Sequence, residues 1–284
     1  MTLDRVIDHE RYRVTGGSGD PRRRAVVDRA RRELADTGCT VLEDFVHPAL
    51  HEALRADCVA LAPHAYTDVE TVNVYNLPLD RPLPEDHPGR RTFRRGNAFV
   101  PRDRIPPGAF ISALYRDESF QRFVADCFEL PRLHELADPL SGLVLNVIEP
   151  GQQHPWHFDT NEFTVSMLTQ EADEGGVFEY CPGIRSPREE NLDAVGAVLD
   201  GRAPERVRRL PLRPGALQLF RGRHSLHRVT PVGGLRARHS AIFAYSEHPG
   251  VVGSVARTRQ LFGRVLPAHL AAEHRAVRGD RLLD

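Results

Sequence analysis

The segment Gly151-Gln-Gln-His154-Pro-Trp-His157-Phe-Asp159-Thr-Asn161 holds an imidazole and a carboxylate two residues apart. Successive side chains of an extended chain leave opposite faces, so His157 and Asp159 leave the same face and can grip one ion. A histidine and a carboxylate are two of the three ligands of the facial arrangement that suits non-haem iron(II), which leaves positions open for a chelating cosubstrate and O2. Zinc would more usually draw on a third nitrogen or sulfur donor. A His-x-Asp pair alone is a weak signal, and its weight depends on what lies downstream.

Two histidines follow in Leu219-Phe-Arg-Gly222-Arg-His224-Ser-Leu-His227-Arg-Val-Thr-Pro231. His227 is the better third ligand because Arg238 lies eleven residues beyond it (238 − 227), room for one strand, the Gly233-Gly234 turn and a return. A guanidinium there would pair with the far carboxylate of 2-oxoglutarate while the keto-acid end chelates the iron. Ser240, two residues on and facing the same way, would donate a second hydrogen bond. His224 is left as a supporting or structural residue.

Other residues near this constellation have a functional and a plain reading side by side. His154 either lines the pocket or sits in an exposed turn after Gly151, and Thr160, beside Asp159, is counted with the substrate-facing residues. Asn146 either reaches the cosubstrate or is a satisfied buried amide. Trp156, the one tryptophan, reads as core packing, and Cys181 as a small buried hydrophobe. Arg94 and Arg95 lie in a long segment expected to close over the site, where one could clamp a substrate carboxylate. If Arg238 and Ser240 point inward, alternation turns Ile242 and Ala244 inward too and makes that wall apolar. An aliphatic or aromatic amino acid, or a metabolite derived from one, is easier to house there than lysine.

The elements that must position these residues change character along the chain. Pro21 to Thr37 carries apolar residues at helical spacing and stops at Gly38, and a second helix is expected from about His47 to Ala62. Asp80 to Pro107, rich in proline, arginine and aspartate, reads as a long irregular loop, and Ser112 to Leu136 as helix again. After Pro139 come short runs of valine, leucine and phenylalanine between glycine and proline turns. Strands are expected near Gly142–Ile148, Asn161–Thr169, Val177–Tyr180, Ala216–Phe220 and Ser240–Ser246, with a charged and perhaps helical insertion at Ser186–Gly201 and a helical tail over Ser254–Arg275. The economical reading is one α+β domain over 1–284, with a helical part over 1–138, a jelly-roll or sandwich core over 139–250 and a tail over 251–284.

Composition bounds the function. With 40% hydrophobic and 27% charged residues the chain is that of an ordinary globular protein. Its formal net charge of −1 gives no reason to expect nucleic acid as partner. Every basic residue other than histidine is arginine. There is no apolar run of the ~20 residues that a membrane span needs and no secretion signal. Four cysteines without a Cys-x-x-Cys pair suggest a reduced, cytoplasmic setting. The oligomeric state is not legible.

The His-Phe-Asp triplet, the distal His227 and Arg238-His-Ser240 resemble the Fe(II)/2-oxoglutarate dioxygenase superfamily, over roughly Leu143 to Gly250. More narrowly, Trp156-His-Phe-Asp-Thr-Asn161, Gly175-Gly-Val-Phe-Glu-Tyr180 and His224-Ser-Leu-His-Arg-Val-Thr-Pro231 are similar to a bacterial group of free-amino-acid hydroxylases and radical halogenases. The resemblance implies a double-stranded β-helix (jelly roll, cupin-like) with terminal helices packed on it. It implies iron(II), 2-oxoglutarate and O2 as cofactor and cosubstrates, a small-molecule substrate, and hydroxylation of an unactivated C–H with release of succinate and CO2. Halogenases of the group carry glycine or alanine where this chain has Asp159, so hydroxylation is favoured. Desaturation, cyclisation, halogenation and a non-catalytic barrel remain the alternatives.

Overall fold

Two antiparallel sheets carry the histidines and arginine singled out above. In the computed structural model, which describes residues 6–273 and 282–283, a six-stranded sheet runs in the order Cys39–Leu42, Leu217–Phe220, Thr164–Gln170, Arg238–Phe243, Leu143–Ile148, Ala98–Val100. A four-stranded sheet runs Arg208–Leu210, Phe178–Cys181, Leu226–Val229, His154–His157. Both edge strands of the larger sheet come from the N-terminal half, which the residue pattern reads as helical. The expected irregular loop at Asp80–Pro107 is also partly ordered. It contains a 3-10 turn at Pro88–Arg90 and a strand, Thr92–Arg95, paired with Glu70–Asn73, before Ala98–Val100 joins the large sheet. Strands of three or four residues are too short to show a period above their proline- and arginine-rich surroundings.

Alternation divides the large sheet into two faces. On the strand Arg238–Phe243, Ala241 and Phe243 join an outer core with Leu145, Val147, Val165, Met167, Leu217 and Leu219. Helical residues Leu54, Phe110, Phe120 and Phe123 cover that face. The helix Pro21–Thr37 starts at Asp20, whose side chain accepts from the Arg22 and Arg23 amides, and ends at Gly38 with φ of 68°, as the sequence predicts. The helix expected over Ser112–Leu136 is two helices, Phe110–Arg116 and Glu118–Cys127. Asp117 breaks it, taking an extended conformation and capping the second helix through the Ser119 and Phe120 amides. Beyond Cys127 the chain leaves the helix, and His134–Glu135 pairs with Tyr245–Ser246.

The inner face looks at the small sheet. Ile148 and Phe220 from one meet Phe178, Tyr180 and Val229 from the other. A further core gathers Val74, Tyr75, Trp156 and Phe158 with Val195 and Val198 of the helix Leu192–Leu199, the helical part of the charged insertion. The tail holds two helices, Val255–Phe262 and Pro267–Ala272, separated at Gly263 with φ of 67°; the end of the expected tail helix lies outside the described residues. No helix among the described residues is long and apolar enough to cross a membrane.

Candidate metal centre

Strand register brings the two histidine ligands together. In the small sheet His157 lies directly opposite His227 on the neighbouring antiparallel strand, so both side chains leave one face. Their ring centroids are 4.1 Å apart. The chain leaves the sheet after His157, and the Asp159 amide donates to the Gly222 carbonyl (3.2 Å). Asp159 Oδ1 then stands 3.7 Å from His157 Nε2 and 3.5 Å from His227 Nε2. Phe158, between the two ligands, turns the opposite way, stacks on Tyr75 and lies 3.8 Å beneath the buried Arg185 guanidinium. That anchor fixes which face His157 and Asp159 can use.

Hydrogen bonding sets the protonation of these groups. His157 Nδ1 lies 2.7 Å from the Pro155 carbonyl and His227 Nδ1 lies 2.9 Å from the Ser225 carbonyl. A carbonyl only accepts, so each Nδ1 carries a proton and each ring turns Nε2 toward Asp159. Burial, with His227 alongside, pushes the His157 pKa down to about 3, so the ring is neutral at pH 7. Burial opposes ionisation of Asp159, yet His227, His157 and Thr164 hold its carboxyl well below the usual range. Thr164 donates its hydroxyl to Asp159 Oδ2, which leaves Oδ1 facing the imidazoles.

The donor set fits ferrous iron. The ligand atoms of His157, Asp159 and His227 all lie within 4.8 Å of one another. Two imidazole nitrogens and one carboxylate oxygen, with no sulfur, make the set that non-haem iron(II) uses with open positions. Among the described residues no cysteine and no further carboxylate joins the group.

Arg238 and Ser240 lie on the inner face, and the guanidinium donates to Ser240 Oγ at 2.7 Å. Burial lowers the Arg238 pKa to about 10, and no protein carboxylate among the described residues pairs with it. A cavity of about 520 Å³ opens beside it, lined by Leu168, Gly176, Phe178 and Leu212 together with the charged Glu171 and Arg209. Phe178 in turn lies 5.6 Å from the His227 ring. A buried cation with no carboxylate partner among the described residues, on a cavity of this size, suits a small dianion. Gly176 is needed here: with φ of 61°, a Cβ on it would stand 3.0 Å from Arg238 Cδ.

The remaining residues sort clearly. His154 stacks on His157 at 3.7 Å, aided by a register shift in the strand pair, and burial drives its pKa well below 6.5. It lines the site and is no exposed turn. Asn146 faces Ser240 across the sheet and accepts from Asn97 Nδ2 (3.2 Å), so it is both near Arg238's strand and a paired amide. Ile242 packs with Phe99, Val144 and Phe262. Three expectations are corrected. Arg94 is exposed because alternation on its short strand turns it away from Arg95. Thr160 is exposed, and what it offers is its carbonyl, to Arg223. Ala244, one residue past the end of the strand, lies far along it from Arg238, and its carbonyl accepts from Tyr115 Oη (3.0 Å). Sequence reasoning missed Thr164 and Gly222, which hold the Asp159 carboxylate; a hydroxyl five residues after Asp159 and a glycine in the distal-histidine motif were the available signals.

A family model described as Halogenase D matches residues 22–256. No curated protein matches the sequence. Among solved structures, the fold is similar to a 2OG-Fe(II) oxygenase family oxidoreductase from Burkholderia pseudomallei, at 18% identity and TM-score 0.50, over 83% of this chain and 94% of that one. It is also similar to AviO1 from Streptomyces viridochromogenes, at 16% identity and TM-score 0.53, over 79% and 96%. A third likeness is to the non-haem α-ketoglutarate-dependent carbocyclase SnoK from nogalamycin biosynthesis, at 15% identity and TM-score 0.52, over 89% and 94%.

Proposed function

The chain belongs to the Halogenase D family, and from that premise we propose that it is an Fe(II)/2-oxoglutarate-dependent oxygenase that hydroxylates a C–H bond of a small amino acid or amino-acid-derived metabolite. The observation that carries this reading is the meeting of His157, Asp159 and His227, with the buried Arg238 on the facing sheet lining a cavity and paired with no carboxylate among the described residues. We read the two sheets as the halves of a double-stranded β-helix, with the histidine ligands on the small sheet, Asp159 just beyond its edge strand, and the cosubstrate arginine on the large sheet.

Iron(II) bound here, with 2-oxoglutarate and O2, supplies the oxidation: the keto acid loses CO2 and becomes succinate while the substrate carbon gains a hydroxyl. The protein's residues arrange for it. The Pro155 and Ser225 carbonyls hold each Nδ1 proton, so each ring offers Nε2 to the metal. Thr164 and Gly222 hold Asp159 so that Oδ1 faces the rings. Arg238, oriented by Ser240, takes the far carboxylate of 2-oxoglutarate in a charge-assisted pair. His154, uncharged and stacked on His157, walls the site without competing for metal or adding a cation.

The family's name favours a second reading, halogenation. Against it stands Asp159, whose carboxylate fills the place where the resembling halogenases carry glycine or alanine. Succinate formation with iron(II), ascorbate and a panel of free amino acids and derivatives tests the reaction. Mass spectrometry of the products then separates the outcomes. One added oxygen supports hydroxylation, two lost hydrogens indicate desaturation or cyclisation, and chlorine uptake with chloride present indicates halogenation. No succinate with any member would support a non-catalytic barrel.

A further inference from the structure

Two guanidiniums converge on one residue of the helix Val255–Phe262. Gln260 accepts from Arg95 Nη2 through its backbone carbonyl (3.5 Å) and from Arg257 Nη1 through its side-chain oxygen. Arg95 is 3% exposed and paired with Glu70 at 2.9 Å. Its Nε and Nη1 are buried without a hydrogen-bond partner. Arg257 uses only Nη1, on Asn76 Oδ1 (3.1 Å) and Gln260. Among the described residues its Nε–Nη2 edge makes no hydrogen bond and no carboxylate pairs with it.

A chain of rings ties this helix to the metal centre. Phe262 meets Phe99 edge-on at 6.4 Å, Phe99 meets His154 edge-on at 6.4 Å, and His154 stacks on His157 at 3.7 Å. The charges are also in reach of one another. Burial, then Arg95, lowers the Arg257 pKa to about 10, while Asp159 and Glu70 support its cation. Arg95 differs in having Glu70 beside it and Asp68 farther off.

Arg257 is half-buried, so its unpartnered edge is open to a ligand, and a planar guanidinium edge matches a carboxylate in geometry and charge. We propose that Arg257 determines substrate specificity: its Nε–Nη2 edge takes a carboxylate of the organic substrate as a two-point pair, close to the metal centre. Asn76 and Gln260 hold the other side of the guanidinium, and Arg95, braced by Glu70, adds positive potential behind it. The substrate is thus a small carboxylate, and an ammonium group cannot occupy the end that meets Arg257. This assignment moves the carboxylate clamp from the exposed Arg94 and the already paired Arg95 to a residue outside the metal motif. It rests on the oxygenase reading for the reaction that follows binding.

The test is calorimetric binding to the protein loaded anaerobically with iron(II) and saturating 2-oxoglutarate, so that Arg238 is occupied. Probes are acids against their primary amides: leucine and leucinamide, glutamate and glutamine, phenylacetate and phenylacetamide. At least one acid should bind tenfold or more tightly than its amide. Arg257→Gln should reduce that preference to near unity, and Arg257→Lys should restore part of it. Asn76→Ala, which keeps the charge but removes its brace, should lower the preference several-fold and serves if Arg257→Gln does not fold. No acid preferred over its amide, or a preference undiminished in both Arg257→Gln and Asn76→Ala, overturns the proposal. A wild-type protein that binds no 2-oxoglutarate would refute the oxygenase reading, while the acid–amide comparison would still decide this one.

Discussion

Replacing Gly222 by alanine sets a methyl group against the Asp159 carboxylate. A Cβ built there stands 1.9 Å from Oδ2, 2.7 Å from Cγ and 3.0 Å from Cβ of Asp159, where ordinary contact begins at 3.4 Å. The carboxylate must therefore withdraw by roughly 1.5 Å (3.4 − 1.9). Gly222 has no positive φ, so the backbone accepts alanine and the effect is steric. Misplacing a metal ligand or its support costs about 10–100-fold in affinity, and a misplacement near 1 Å costs on the order of 100-fold in rate. Anaerobic ferrous titration should show that loss in Gly222→Ala, with the metal-free protein destabilised by only about 1–3 kcal/mol, as for other overpacked sites. A double-mutant cycle isolates the cause. Asp159→Gly removes the clashing group, so Gly222→Ala added to it should cost no further iron affinity. Wild-type affinity in Gly222→Ala, or additive losses in the double variant, would refute the cradle.

Asp159→Ala should abolish hydroxylation, because the metal loses its one anionic ligand; product formation at the wild-type rate would contradict this. Arg238→Gln removes a charge-assisted pair worth about 1.5–3 kcal/mol, so the dissociation constant for 2-oxoglutarate should rise on the order of 10–100-fold, and an unchanged constant would place the cosubstrate elsewhere. Acid should destabilise the metal-free protein before the carboxylates titrate. Burial lowers His157 from 6.5 to about 3 and His239 from 6.5 to about 4. The unfolded chain therefore binds more protons below pH 6.5, and stability is lost as pH falls through that window. The thermal midpoint should decline steadily from pH 7 to 5; a flat or rising midpoint would contradict the buried neutral histidines.

The candidate metal site was legible because its signal is local and chemical: His157 and Asp159 two apart in an extended segment, and His227 spaced for a return through Arg238. Neighbouring strands then did what antiparallel pairing requires, placing His157 opposite His227. Helix limits were legible where a cap was written into the chain, as at Asp20 and Gly38, and illegible at Asp117, whose acid inside an apolar pattern ends one helix and starts another. The short strands at Thr92–Arg95 and Ala98–Val100 owe their existence to partners far away in sequence, which no local period records. Arg257 was invisible for the same reason. Nothing in Val255–Phe262 marks one of its arginines; only packing of Phe262 on Phe99 brings the helix to the metal centre. Gly222 and Thr164 matter through single contacts with one carboxylate, which composition and spacing cannot express.

Ferrous binding by wild-type protein and by His227→Ala, measured anaerobically with 2-oxoglutarate present, tests the central claim most directly. The convergence of three side chains predicts one iron per chain in the wild type, with binding weakened at least about tenfold in the variant. Equal affinity and stoichiometry in the two proteins would mean that the iron, if bound at all, is held by other residues.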